Sequence, residues 1–259
     1  RQNNYDLFQK EYLMKQITAG ILVIGDEILS GRTYDTNSNF IAKNLIKNGI
    51  KLEEIKIIQD KFTIIEKSVL NFSNKYNYVF TTGGIGPTHD DITSESVASA
   101  FKKKLEVNNE AYKILEKYYP KGQFNKSRQK MTIMPEGAEL IYNPVTVAPG
   151  FKIKNVFVLP GVPKIMEKMF LEILNNIQKG KPKLITTINT DLYESKIASF
   201  LNDIQKKYKD TSIGSYPYFN FVSKIGGVNI VISSWNMNSL KPIEKDIVEM
   251  IKLNGGKSL

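Results

Sequence analysis

The 259-residue sequence contains no cysteine, a single histidine and a single tryptophan. The absence of cysteine excludes disulfides, thiolate metal sites and cysteine nucleophiles. No run of about eighteen apolar residues occurs and no signal-peptide core opens the chain, so the sequence predicts neither a transmembrane helix nor secretion. A cytoplasmic location is therefore the expectation.

Hydrophobic residues make up 41% of the chain, which is enough to build cores in one large domain and one small domain. Lys and Arg number 36 against 26 Asp and Glu, and the net charge of +10 allows anionic partners. The lysines are scattered along amphipathic segments among many Asn and Ile, which indicates a compositional bias. We therefore expect a small-molecule ligand rather than nucleic acid or a membrane.

The most informative segment is Thr81 to Thr93, with the sequence T-T-G-G-I-G-P-T-H-D-D-I-T. A β-prone stretch precedes this segment and a helical pattern follows it, so the predicted order is strand, glycine loop, helix. Gly83, Gly84 and Gly86 allow positive φ and a close approach of the backbone to an anion. Thr93 is expected to cap the helix. A β-branched residue at Gly84 is expected to abolish nucleotide binding with little loss of fold.

Two adjacent carboxylates, Asp90 and Asp91, lie in the same loop, where they would repel phosphate. A divalent cation between carboxylate and phosphate removes this conflict, and hard oxygen ligands suit Mg²⁺ or Mn²⁺. The alternative is an ordinary glycine turn with solvated aspartates. The loop is neither a Walker A loop, which ends in Gly-Lys-Ser/Thr, nor the G-x-G-x-x-G dinucleotide motif.

A second acidic cluster follows the first predicted strand. Residues 17–24 are continuously apolar, which is typical of a strand buried on both faces of a parallel sheet. This strand delivers Gly25, Asp26 and Glu27 to the carboxyl end of the sheet, where ligands bind in open α/β folds. In the helix that follows, Asp35 and Thr36 are interpreted as caps, and Asn37 as a residue that could reach a ligand.

The remaining pattern alternates strands and helices up to a boundary predicted at Gly180, and it predicts a parallel, doubly wound sheet. Helices are expected at 36–47, 62–72, 97–104, 109–119 and 164–177, and further strands at 50–59, 76–82, 138–142 and 155–159. Residues 143–151 contain two prolines and a glycine and are predicted to be a rigid loop. Residues 183–259 show a β-α-β-β-α order, typical of a small α+β lobe. Met14 is a candidate start, so residues 1–14 are interpreted as an extension and residues 15–180 as the main domain.

Four motifs occur in order: I-G-D-E-I-L-S-G from Ile24, T-G-G-I-G-P-T-H-D-D-I-T from Thr82, N-P-V-T-V-A-P-G-F from Asn143 and P-G-V-P from Pro160. Together they resemble the molybdopterin-binding family of MoaB and Mog, in its CinA-like branch. That branch also supplies the N-terminal domain of eukaryotic FAD synthases. The resemblance implies a three-layer α/β/α domain with a mostly parallel sheet, followed by a KH-like lobe. The third motif departs from the common bacterial G-T-A-P-G form at residues 146 and 147.

Two activities are attached to this family: molybdopterin adenylylation, and metal-dependent pyrophosphate cleavage of ADP-ribose or FAD. The resemblance favours the second; the alternatives are adenylylation and a binding protein without turnover. It implies a divalent metal, Mg²⁺, Mn²⁺ or Co²⁺, held by Asp91 and Asp26, or by Asp91 and Glu27, with K⁺ as a further candidate ion. It also implies a homo-oligomer, either a dimer or a trimer.

The resemblance also implies a set of site residues. The implied catalytic residues are Asp26, Glu27, Asp90 and Asp91. The implied ligand- or phosphate-binding residues are Gly25, Asn37, Gly83, Gly84, Gly86, Thr88, Asn143, Pro149 and Gly150. His89 is interpreted as a hydrogen-bonding loop residue, with protonation of a leaving phosphate as the alternative. The lobe lacks the G-x-x-G loop of RNA-binding KH domains, so a structural or dimer-forming role is expected.

Overall fold

The computed structural model describes residues 16–222, 225–236 and 238–258. The extension predicted for residues 1–14 lies outside the described residues. The chain divides after Gly180 into two compact units. No helix in the described ranges combines the length and the apolar character needed to cross a membrane.

The first unit contains eight strands and seven helices within its described part. The strands are β1 (Thr18–Ile24), β2 (Lys51–Ile58), β3 (Tyr78–Thr82), β4 (Leu105–Val107), β5 (Ile133–Pro135), β6 (Glu139–Ile141), β7 (Gly150–Ile153) and β8 (Val156–Leu159). The helices are α1 (Asp26–Leu29), α2 (Asn37–Lys47), α3 (Phe62–Lys75), α4 (Thr93–Ala100), α5 (Asn109–Tyr118), α6 (Lys126–Lys130) and α7 (Pro163–Asn176).

Six of these strands form one sheet in the order β2-β1-β3-β8-β7-β6, while β4 and β5 form a separate antiparallel ribbon. The four strands β2, β1, β3 and β8 run parallel, and β7 and β6 add an antiparallel edge. Helices cover both faces of the sheet. The predicted three-layer α/β/α fold with a mostly parallel sheet is therefore confirmed.

The two faces of the sheet bury separate apolar cores. On one face, Val69 and Phe72 of α3 and Val97 of α4 pack against Leu22 and other side chains of the sheet. On the other face, residues of α2 and α7 pack against Ile21, Val23 and Phe80. Neighbouring residues of β1 belong to opposite cores because successive side chains of a strand point to opposite faces. This alternation explains why the whole strand is apolar.

The predicted boundaries in the first unit differ most from the structure at α4 and at β7. Helix α4 begins at Thr93, one turn earlier than predicted, and the chain leaves it with Lys102 at φ 54°. Strand β7 begins at Gly150, inside the stretch predicted to be a loop. The predicted loop extended too far, because the residues of β7 show no strand pattern of their own. Their pairing with β8 identifies them as a strand.

The second unit contains β9 (Leu184–Thr190), α8 (Glu194–Lys207), β10 (Thr211–Asn220), β11 (Ile225–Ser234) and α9 (Leu240–Leu253). The strands form an antiparallel sheet in the order β10-β11-β9, and both helices pack on it through a core of Ile, Leu, Val and Met side chains. The predicted β-α-β-β-α order is confirmed. Gln205 of α8 covers part of the β10 edge: its Oε1 accepts from Ile213 N at 2.8 Å, and its Nε2 donates to Thr211 O at 3.0 Å.

Candidate functional site

A pocket of about 530 Å³ opens at the carboxyl ends of β1, β3 and β8. Parallel strands end there on one edge of the sheet, which is where open α/β folds bind ligands. The sequence-predicted residues that line it are Gly25, Glu27, Gly83, Gly84, Gly86, Asp90, Asp91, Asn143 and Pro149. Asp26, Asn37, Thr88 and Gly150 do not line it. The fold therefore brings most of the predicted residues together from three separate segments.

The glycine loop requires glycine at its first two positions. Gly83 and Gly84 have φ values of 106° and 70°, in the left-handed region that L-residues avoid. A Cβ on Gly83 would lie 2.2 Å from the carbonyl oxygen of Ile24, so this glycine also lets β3 pass close to β1. The sharp turn is thus built into the backbone.

Thr93 stabilises this turn, although it does not cap α4 as predicted. The N-cap residue of α4 is Ile92, and no side chain caps the helix there. Instead, the buried Thr93 hydroxyl donates to Gly83 O at 3.0 Å, and the Thr93 N–H donates to Gly84 O at 3.0 Å. Because the Cβ of a residue at position 84 would lie 2.2 Å from Thr93 Oγ1, substitution of Gly84 is expected to disturb the fold as well as any ligand. The geometry therefore changes the prediction from an intact fold to a destabilised one.

Three consecutive backbone N–H groups, those of Gly84, Ile85 and Gly86, face no acceptor within the described part of the chain, and all three residues line the pocket. The preceding N–H, that of Gly83, is occupied by Leu159 O at 3.0 Å. Successive N–H groups after a left-handed turn form a concave cradle for an anion. The loop thus offers hydrogen-bond donors to a phosphate.

The two loop carboxylates are held in place by Thr88. Its hydroxyl lies 2.5 Å from Asp90 Oδ1 and 2.6 Å from Asp91 Oδ2, and its N–H donates to Asp91 Oδ2 at 2.8 Å. A hydroxyl group has a single proton, so it can donate to only one of the two carboxylates at a time. The hydroxyl contact lowers the pKa of Asp90, and the charges of His89 and Lys130 lower it further. Thr88 therefore orients Asp90 and Asp91 without facing the pocket itself.

Asp60 is a pocket residue that the sequence reasoning missed. It lies beyond the end of β2, its Oδ2 accepts from the N–H of Asp26 at 2.8 Å, and it lines the pocket together with Glu27. Burial raises the pKa of Asp60, and the neighbouring carboxylates of Glu27, Asp26 and Asp90 raise it further. The available signal was the same as for Asp26 and Glu27: an acid just after a strand, at the edge of the sheet where ligands bind.

Asp26 is exposed and does not line the pocket, whereas Glu27 lines it. The two residues begin α1, and neighbouring helical residues are rotated by about 100° around the helix axis. The predicted metal pair of Asp91 and Asp26 is therefore not brought together at the pocket wall. Glu27 and Asp60 are the acids that face the loop carboxylates.

These acids fit a cation only in part. Across the described ranges, no three His, Asp or Glu side chains converge into a metal-binding group. The pocket nevertheless carries four carboxylates, those of Glu27, Asp60, Asp90 and Asp91. Mg²⁺ is commonly held by one or two carboxylates together with substrate phosphates and water. The donor set fits that mode, in which the ligand supplies part of the coordination.

Asn143 organises the third pocket segment. Its Oδ1 accepts from the N–H groups of Val145 and Thr146 at 2.9 and 3.1 Å. Its Nδ2 donates to Thr146 Oγ1 at 2.7 Å and to Ala148 O at 2.9 Å. Val147 adopts φ 58°, an unusual value for a β-branched residue, at the position where the motif departs from the bacterial form. The amide of Asn143 is thus occupied by its own loop.

Asn37 and Gly150 lie behind the pocket wall. Asn37 Nδ2 donates to Gly161 O at 2.8 Å, which ties α2 to the pocket-lining P-G-V-P segment. Its Oδ1 is buried and accepts from no group of the described chain. A Cβ on Gly150 would lie 2.3 Å from Val158 O, so this glycine is needed for the pairing of β7 with β8. Both residues shape the site from outside.

His89 is fully exposed at the loop tip and does not line the pocket. Its Nδ1 lies 3.9 Å from Asp90 Oδ1. Part of the pocket lining is apolar. It is formed by Ile85, Met131, Val162 and Ile165 and by Pro149 and Pro160. The pocket therefore combines an acidic side, a row of N–H donors and an apolar side.

Comparison with known proteins identifies the family. Residues 20–179 match the model described as a probable molybdopterin binding domain, and residues 182–255 match the middle domain of FAD synthase. A protein from Archaeoglobus fulgidus is 36% identical over 232 residues, which cover 89% of this chain and 96% of the relative. A Caenorhabditis elegans protein named probable FAD synthase is 30% identical over 271 residues, which cover 95% of this chain and 52% of the relative. The chain thus spans about half the length of the nematode protein.

A solved structure supports the same assignment. The crystal structure of the protein CinA from Thermoplasma acidophilum, described as having unknown function, superposes with a TM-score of 0.58 and 31% sequence identity. The match covers 61% of this chain and 98% of that chain. The prediction from the four motifs is confirmed, and the chain belongs to the molybdopterin-binding domain family of MoaB and Mog, within its CinA-like branch.

Proposed function

We propose that the first unit binds a nucleotide diphosphate such as ADP-ribose or FAD and hydrolyses its pyrophosphate bond with a divalent cation. The observation that carries this proposal is the row of N–H groups at Gly84, Ile85 and Gly86, which faces the same pocket as Glu27 and Asp60. The row provides donors for phosphate oxygens. The carboxylates provide oxygen ligands for a cation that bridges to the phosphate.

The size and polarity of the pocket suit such a ligand. Its volume of about 530 Å³ lies within the usual range for small-molecule and cofactor sites. A nucleotide combines a flat aromatic base with a charged diphosphate. The pocket offers apolar side chains to the base and polar groups to the diphosphate. The side chains of Met131, Val162 and Ile165 would contact the base and exclude water from it.

The charge of the pocket explains the need for a cation. Four carboxylates next to a diphosphate repel it, and partial burial strengthens this repulsion. A bound divalent cation neutralises that charge and polarises the phosphoryl group. Glu27 and Asp60 would hold it, while Asp90 and Asp91, oriented by Thr88, add to the negative charge of the pocket.

The remaining roles belong to the chain itself. The N–H groups of the loop fix the diphosphate against the end of β3, and the Gly83–Gly84 turn presets their direction. The Asn143 side chain keeps its loop closed over the pocket. Preorganised donors of this kind stabilise charge without having to reorganise during the reaction.

A second candidate is a domain that binds a nucleotide or molybdopterin without turnover. The observation that favours it is the lack of three converging acids in the described residues, since many hydrolytic metal sites use such a group. Adenylylation of molybdopterin is a further possibility for the same pocket. Hydrolysis and simple binding predict the same ligand location and differ only in product formation.

The test is release of AMP from FAD and from ADP-ribose, followed by chromatography with Mg²⁺, Mn²⁺ or Co²⁺ and with a chelator. We expect metal-dependent release in the native protein and a loss of about 100-fold or more in Glu27→Gln and Asp60→Asn, because each variant removes a proposed cation ligand. Asp26→Asn, whose side chain does not line the pocket, is the matched comparison and should lose far less.

Binding of the same nucleotides by calorimetry, with and without metal, completes the test. Binding without AMP release would support the second candidate. If the native protein neither binds nor cleaves either nucleotide, the proposed function is wrong. If Asp26→Asn is as damaging as Glu27→Gln, the assignment of the cation ligands is wrong.

A further inference from the structure

The pocket lining is one-sided in charge. It contains four carboxylates, and no Lys, Arg or His is among the described residues that form it. The three N–H groups of the glycine loop are neighbours in sequence, and such a short row of donors is of a size to bind one phosphate. The second phosphate of a diphosphate would then depend on the cation alone, unless a basic side chain reaches it from the rim.

Lys130 lies at that rim. It is the last residue of α6, and the next residue, Met131, lines the pocket. Its Nζ donates to Thr88 O at 2.5 Å, and Thr88 follows the pocket-lining Pro87. Lys130 is thus next in sequence to a pocket residue, and its ammonium group contacts a residue that is also next to one.

The present partner of Lys130 leaves most of its capacity unused. An ammonium group has three N–H donors, and the carbonyl of Thr88 is a single neutral acceptor. The side chain is only half-buried and has a flexible four-carbon stem. A phosphate oxygen is the stronger acceptor, because both partners of that contact are charged.

We propose that Lys130 binds the second phosphate of the ligand and so makes the site selective for diphosphates over monophosphates. This inference rests on the proposed function of the pocket and adds a binding residue to it. Lys130 moves from Thr88 O to the phosphate, or bridges the two, and supplies positive charge opposite the acids. The glycine loop holds the first phosphate, so a monophosphate needs Lys130 little.

The other basic residues of α6 do not share this position. Arg128 donates from Nη1 to Gln123 O at 2.6 Å, and its guanidinium lies 4.2 Å from the centre of the Tyr119 ring. These contacts direct it away from the loop. Lys126 is exposed at the start of the helix. Lys126 therefore provides a matched control, because its removal changes the net charge equally on the same helix.

The experiment measures binding of ADP-ribose and of AMP by calorimetry without added metal, in the native protein and in Lys130→Met, Lys130→Arg and Lys126→Met. We expect Lys130→Met to weaken ADP-ribose binding by about 10- to 100-fold, the usual effect of losing one charge-assisted hydrogen bond, and AMP binding by about 3-fold or less. Lys130→Arg should recover most of the ADP-ribose affinity. Lys126→Met should change either affinity by about 2-fold or less.

Each outcome decides between roles. An equal loss for ADP-ribose and AMP in Lys130→Met would show that Lys130 only latches the loop through Thr88, and would overturn the proposal. Unchanged ADP-ribose affinity would overturn it as well. Failure of the native protein to bind either nucleotide, both without metal and with added Mg²⁺, would instead overturn the function proposed for the pocket. If Lys130→Met does not fold, the ratio of the two affinities is measured in Lys130→Gln, with the same criteria.

Discussion

Replacing Gly84 with alanine probes the glycine loop through two separable costs. Gly84 has φ 70°, and an added Cβ would lie 2.2 Å from Thr93 Oγ1. An L-residue in the left-handed region costs about 1–2 kcal/mol. Displacing the buried Thr93 hydroxyl leaves Gly83 O without that partner, which adds about 1–3 kcal/mol. We expect the free energy of unfolding to fall by about 2–5 kcal/mol.

Gly31 provides the matched control. It has φ 73°, nearly the same as Gly84, but apart from its chain neighbours no described atom lies within 4 Å of the position that an added Cβ would occupy. Gly31→Ala should therefore cost only the backbone contribution of about 1–2 kcal/mol. Urea unfolding followed by circular dichroism measures both variants, and equal slopes show that the midpoints report stability.

The double variant Gly84→Ala with Thr93→Ala isolates the contact between the two positions. Removing Oγ1 makes room for the new Cβ, so the double variant should be more stable than the sum of the two single effects implies. A loss in Gly84→Ala no larger than in Gly31→Ala would refute the role given to Thr93. Strict additivity in the double variant would refute it too.

Two further predictions concern pH. Burial and nearby carboxylates raise the pKa of Asp60 above its unfolded value, so stability falls as pH rises through the folded pKa. The stability of Asp60→Asn should therefore rise relative to that of the native protein as pH rises above the unfolded pKa of an aspartate, as urea midpoints without metal will show. A difference that does not change with pH would contradict this. The ammonium group of Lys207 lies 2.7 Å from Asp246 Oδ2 and lowers the pKa of Asp246, and the Tyr208 hydroxyl lowers it further. The stability that this contact adds is therefore present above the unfolded pKa and is lost as pH falls through the folded pKa. Asp246→Asn should lower the free energy of unfolding by about 0.5–1 kcal/mol at neutral pH and by less in acid. The exposed control Asp203→Asn should change thermal unfolding little. Equal effects of the two substitutions would argue against a stabilising Lys207–Asp246 pair.

The order of strands and helices followed from local patterns. The apolar run of β1 and the helical stripe of α2 are each complete within one short segment of sequence. Periodicity was therefore sufficient to predict these two elements. The glycine loop was also recognisable, because its glycines have a conformational meaning that other residues lack. Strand β7 was missed, since its residues show no strand pattern of their own and Gly150–Ile153 is recognised as a strand by its pairing with β6 and β8.

The sequence by itself therefore determined the fold class, the family and the segments that meet at the pocket, because spacing, glycines and acids at strand ends are local properties. Only the tertiary structure decided which side chains face the pocket. Glu27 lines the pocket and its neighbour Asp26 does not, and Asp60, which follows β2, lies beside them from another part of the chain. The polar groups of Thr88 and Asn143 form hydrogen bonds within their own loops. Side-chain direction depends on helix rotation and on contacts between distant segments, and neither is written in the residue types alone.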